Sequence, residues 1–71
     1  MMEDKARILD ALRYLLNLTM FGQDIHFIDY IKEENGMELA EVTWADGYTQ
    51  RINISMDSGI AIIRDVLRGL N

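Results

Sequence analysis

The sequence predicts an α+β domain of order α-β-β-β-α, a three-stranded antiparallel meander with two helices packed on one face. Three observations predict it. Both terminal segments carry apolar residues at helical spacing, and the segment between them alternates apolar and polar residues. Two dipeptides, Asn35-Gly36 and Asp46-Gly47, divide that middle segment into strand-sized pieces.

Residues 3–18 form the first predicted helix. Ile8, Leu9, Leu12, Leu15 and Leu16 fall on one face, with Arg7, Asp10, Arg13 and Asn17 mainly on the other. Glu3 and Asp4 suit the positive end of the helix dipole, and Glu3 with Arg7 makes an i,i+4 pair. The helix ends in "LTMFGQD", where Gly22 is expected to turn the chain at positive φ. Met20 and Phe21 suit either the space between helix and sheet or the margin of an exposed patch.

The middle segment predicts two hairpins. A two-residue type I′ turn at Asn35-Gly36 pairs residues 31 with 40, 29 with 42 and 27 with 44. One face then collects Phe27, Ile31, Ala40, Val42 and Trp44 as core, with Asp29 its one charged member. At the second turn, a two-residue loop would mix apolar and polar side chains on both faces. A three-residue loop, Ala45-Asp46-Gly47, instead pairs Trp44 with Tyr48, Val42 with Gln50 and Ala40 with Ile52. It sets Glu41 beside Arg51 on the other face and asks Gly47 for the left-handed conformation of a bulged turn.

The second helix follows Ser55. Asp57 or Ser58 is expected to cap it, Ile60, Ile63, Val66, Leu67 and Leu70 to form its apolar stripe, and Gly69 to mark its end.

Seventy-one residues are expected to make one domain, 1–71, near the lower limit for a self-sufficient core. The absence of cysteine removes disulfides and thiolate metal sites, which fits a reducing compartment. No apolar run reaches the ~20 residues of a membrane span. The opening "MMEDKARILD" has no signal-peptide pattern, so a cytoplasmic protein is expected. The net charge of −5 is concentrated: residues 24–46 hold seven acids against Lys32 alone, a net of −6, whereas the remainder is +1. Such a surface repels phosphate and attracts basic partners within a screening length of about 8 Å, so direct nucleic-acid binding is not expected.

The requirements of common catalytic sites are not met. The one histidine, His26, has no nucleophile and acid placed with it by any motif, and zinc would need several Cys or His ligands. Neither a dinucleotide nor a phosphate-loop glycine pattern occurs, and "DSG" reads as a helix cap. Asp29 is the acid most out of place, read either as an edge-strand charge reaching solvent or as a carboxyl with a raised pKa.

The outer sheet face carries the expected site. Ile28, Tyr30, Met37 and Leu39 form a patch there, with Glu33, Glu34, Glu38 and Glu41 supplying the acidic component. These features predict a non-enzymatic binding module without cofactor, engaging a protein partner with a basic surface through its acidic hairpin. The element order and the run from the "ADG" turn through "INISMDSGIAIIRDVL" resemble small anti-CRISPR inhibitors over about half the chain, at the level of topology. That resemblance implies an inhibitor of phage or mobile-element type. The alternative is a homo-oligomeric structural or ligand-sequestering protein, a dimer paired through its first strand, residues 25–34.

Overall fold

A computed structural model describes residues 4–71. Glu3 and its pairing with Arg7 lie outside the described residues. The element order is α1 (Lys5–Asn17), β1 (Ile25–Lys32), β2 (Glu38–Trp44), β3 (Thr49–Asn53) and α2 (Ile60–Leu70). The strands form one antiparallel sheet of order β1-β2-β3. The α+β meander read from the sequence is therefore the architecture of the chain.

Helix α1 starts where Asp4 accepts the Arg7 amide on its carboxylate at 3.1 Å, satisfying one free N–H of the first turn. Its buried stripe is Leu9, Leu12 and Leu16. Leu15 departs from expectation and is 59% exposed, because the face meeting the sheet is narrower than the one drawn from spacing alone. Gly22 also departs from expectation. Its φ is not positive; a Cβ there would stand 2.8 Å from both the Cβ and the carbonyl oxygen of Leu16, so the site demands close approach.

The second hairpin has the expected register, with Ala40 opposite Ile52, Val42 opposite Gln50, Glu41 opposite Arg51 and Thr43 opposite Thr49. Trp44 donates its amide to the Tyr48 carbonyl at 2.8 Å, and Gly47 has φ +92°. The first hairpin corrects the two-residue reading. Glu33 donates to the Met37 carbonyl at 2.8 Å, Gly36 to the Glu33 carbonyl at 3.0 Å, and only Gly36 has positive φ, at +90°. This is the same three-residue bulged turn, and both carry an Asx side chain bonded two residues ahead. Asn35 Oδ1 accepts the Met37 amide and Asp46 Oδ1 the Tyr48 amide, each at 2.9 Å.

One extra loop residue reverses every side chain of β1. Tyr30 lies opposite Ala40, Ile28 opposite Val42 and Asp29 opposite Glu41. A bulge at His26 then returns Ile25 to the inner face beside Trp44. The core joins Leu9, Leu12, Leu16, Ile25, Ile28, Ala40, Val42, Ile54, Ile62, Val66 and Leu70, all on the helix side of the sheet. The placement of Ile28 and Tyr30 on the outer face is thus corrected: Ile28 is buried, and Tyr30 packs against the core. Phe27, expected inside, is 54% exposed, and Ile31 and Asp29 share its open face. The physical reason is charge. The expected register would have desolvated Asp29 in the core, and the observed one leaves it in water.

Helix α2 buries Ile62, Val66 and Leu70, one row at i, i+4, i+8, while Ile60 is 76% exposed and Leu67 lies outside the core. Ile63 is partly buried against that core. Its N-cap is Gly59, not Asp57 or Ser58, and the helix continues through Gly69.

Candidate functional site

The acidic hairpin presents two ends and an open face. At the first turn Glu33, Glu34 and Met37 are all exposed, so three of the expected site residues come together at the tip. On the open face Leu39 is 7% exposed between Ile31 and Asn53, its cross-strand neighbours. Glu41 stands on the same face between Asp29 and Arg51 and accepts from Arg51 Nε at 2.8 Å.

Glu38 leaves this group. It opens β2 beside α1, where Lys5 Nζ donates to one carboxylate oxygen at 2.8 Å and the Tyr30 hydroxyl donates to the other. The Lys5 bond, and next the Tyr30 bond, hold the Glu38 carboxyl below the usual glutamate range. The same bond to Glu38 raises the Tyr30 phenol above its ordinary value. Tyr30 and Glu38 therefore fasten the sheet to the helix layer and are committed to the fold.

Five acids of this segment, Asp24, Asp29, Glu33, Glu34 and Asp46, have no ion-pair partner among the described residues. Glu33 and Glu34 mark the first turn, and Asp24 and Asp46 the opposite end of the sheet. No group of three or more His, Asp or Glu side chains able to hold a metal occurs among the described residues. No described helix is long and apolar enough to cross a membrane.

The Asp24–Asp46 end holds a feature that sequence reasoning missed, an open cleft of about 500 Å³ lined by Asp24, Trp44, Ala45, Asp46 and Tyr48. Its walls are fixed by local bonds. Ala45 donates its amide to the Asp24 carbonyl at 2.8 Å, and Asn17 Nδ2 reaches the carbonyls of Gly22 and Ile25 at 3.0 and 2.9 Å. The Trp44 indole donates to Gln50 Oε1 at 2.7 Å and meets the Phe21 ring edge-on, with centroids 6.3 Å apart. Tyr48 is 61% exposed. In the sequence, the only signal was "WADGY", two aromatics bracketing an acid inside the most acidic segment.

Compared with protein-family models, curated proteins and solved structures, the chain matches none.

Proposed function

We propose that this chain is a non-enzymatic protein-binding module whose acidic hairpin engages a basic surface on its partner. One observation carries the reading: of the seven side-chain carboxylates without an ion-pair partner among the described residues, five (Asp24, Asp29, Glu33, Glu34 and Asp46) lie in the 24–46 segment, and the other two, Asp4 and Asp57, are engaged at the start of α1 and beside Asp65. A surface left charge-incomplete on one hairpin favours encounter with the opposite charge. Phe27 and Met37, exposed beside Asp29 and Glu33, supply apolar area that such a contact would bury. An inhibitor that covers a phosphate-binding surface is the specific form this charge pattern favours.

The test is capture from a native-host lysate by the parent and by a Glu33→Lys/Glu34→Lys variant, at low and high salt. Both positions are exposed, so the variant is expected to keep the fold. The expected partner is basic, is retained by the parent at low salt, and is lost with the variant and at high salt. Capture indifferent to both changes would sink the reading.

A second reading, self-association, draws on the exposed Phe27 and half-buried Ile31 along the edge strand β1. Light scattering tests it: a dimer lost in Phe27→Lys supports it, and a monomer at high micromolar concentration rejects it.

A further inference from the structure

We infer that the cleft between Asp24, Trp44, Asp46 and Tyr48 binds one guanidinium group, the side chain of an arginine on a protein partner. The inference rests on the proposed function only in assigning that arginine to a protein; the choice of ligand chemistry comes from the cleft.

The cleft selects for a cation. Asp24 and Asp46 stand at its rim with no basic side chain paired to either. The Asp46 carboxylate gives one oxygen to the Tyr48 amide, leaving the other to a ligand, and the Asp24 carboxylate accepts from no described donor. The cleft also selects for an organic cation. At about 500 Å³ it is far larger than a metal ion, and with two carboxylates it falls short of the oxygen ligands a hard divalent ion collects. Two of its other three lining residues, Trp44 and Tyr48, are aromatic, and aromatic rings attract organic cations through their electron-rich faces.

Among organic cations, guanidinium fits best. It is planar and weakly hydrated, so it stacks on an indole or phenol, while its fork of N–H donors serves two carboxylates at once. An ammonium is a compact, strongly hydrated point charge and uses the aromatic walls less well. Part of the lining is held in place before binding. The Ala45 and Tyr48 amides are bonded to Asp24 and Asp46 and the Trp44 indole to Gln50, so the backbone, the indole and one Asp46 oxygen are fixed, and the ligand has the Asp24 carboxylate and the Tyr48 ring left to order.

Trp44 is the only tryptophan, so intrinsic fluorescence reports on this cleft directly. The experiment titrates the whole chain with N-acetyl-arginine-amide and with the neutral isostere N-acetyl-citrulline-amide, following Trp44 emission and the indole N–H resonance. The expected result is a saturable response to the arginine compound alone, weakened about two- to fivefold by Asp24→Asn or Asp46→Asn. Asparagine can still accept the Tyr48 amide at position 46, so the turn is expected to survive that change. The comparison of the two amides needs no variant at all. No saturation, or an equal response to citrulline, overturns the inference. A methylguanidine arm, of the same single charge, separates the sources: half-saturation about tenfold tighter than for the blocked amide would assign the cleft to a free guanidino compound and overturn the protein source. Absence of arginine binding while the hairpin still captures its basic partner rejects the cleft alone. Arginine binding with no partner captured through Glu33 and Glu34 supports the cleft and rejects the hairpin reading.

Discussion

Lys5 and Glu38, 33 residues apart in sequence, meet at 2.8 Å where the first turn of α1 crosses the start of β2. Tyr30 completes the group from β1, so three elements share one carboxylate. Most of each charged side chain is shielded, with 19% of Lys5 and 16% of Glu38 exposed.

The group predicts opposite pH responses at its two acids. Glu38 is more acidic folded than unfolded, so its contribution is complete above the unfolded glutamate pKa and disappears as pH falls through the folded value. Tyr30 is less acidic folded, so its contribution is complete below the ordinary tyrosine value and disappears as pH rises through the raised one. Glu38→Gln is expected to lower the melting temperature most near neutral pH, with the gap from the parent closing in acid. A gap that widens on acidification would contradict the assignment.

Adjacent residues of β1 test the register. Ile28→Ala is expected to cost about 2–4 kcal/mol, the usual range for emptying a core site. Phe27→Ala, although the larger truncation, removes an exposed ring that touches His26 edge-on, and is expected to cost under about 1 kcal/mol. Urea denaturation of the two variants decides it; the two-residue turn would have required the reverse order.

That pair also shows what local sequence could and could not convey. The β2–β3 register was legible because Glu41 with Arg51 and Ala40 with Ile52 match in only one alignment. Asn35-Gly36 permits both two- and three-residue loops, so its neighbourhood does not choose. The choice lies with distant terms, the desolvation of Asp29 and the bulge at His26 that lets Ile25 and Ile28 both point inward. Glu33 and Glu34 were legible as exposed acids because turn residues face water in either register. The cleft was not, because it joins Asp24 to the 44–48 turn through bonds that exist only once α1 has placed the intervening loop.

The two turns should respond alike to loss of their glycines. A Cβ at Gly36 or Gly47 would meet nothing within 4 Å, so the penalty is the left-handed backbone alone. Gly36→Ala and Gly47→Ala are each expected to cost about 1–2 kcal/mol in urea. Parent-like stability in either would show that its turn is not of the bulged type.

Gly69 is a different case. It sits inside α2, where a Cβ would approach Ile52 Cγ1 to 2.8 Å and Cδ1 to 2.9 Å. Overpacking of about 1–3 kcal/mol then opposes a helix-propensity gain of about 1 kcal/mol. Gly69→Ala is expected to destabilise the parent but to stabilise an Ile52→Ala background, where only the propensity gain remains. A double-mutant cycle measures the change of sign, and additive effects would mean that α2 does not press on Ile52.

Asp57 and Asp65 give the opposite polarity to Glu38. Asp57 Oδ2 is buried without a hydrogen-bond donor. Burial, and next the hydrogen bond to Asp65, raise the Asp57 carboxyl above the ordinary aspartate value. That bond needs a proton on one of the two carboxyls. Asp65 keeps its charge more readily, held down first by its bond to Asp57 and then by Arg64. The stability linked to a protonated Asp57 is complete below the unfolded aspartate pKa and is lost as pH rises through the raised one. Asn at position 57 supplies a permanent N–H donor to Asp65 and removes the repulsion. Asp57→Asn is therefore expected to melt above the parent at neutral pH, with the advantage shrinking as acid protonates the parent's Asp57. Asp65→Asn should gain less, because Asp65 also receives Arg64 at 3.2 Å and stands 3.9 Å from Arg68. Thermal melts of the three proteins across the acidic range measure both differences. An Asp57→Asn protein less stable than the parent at neutral pH would mean that Asp57 is held there as an anion.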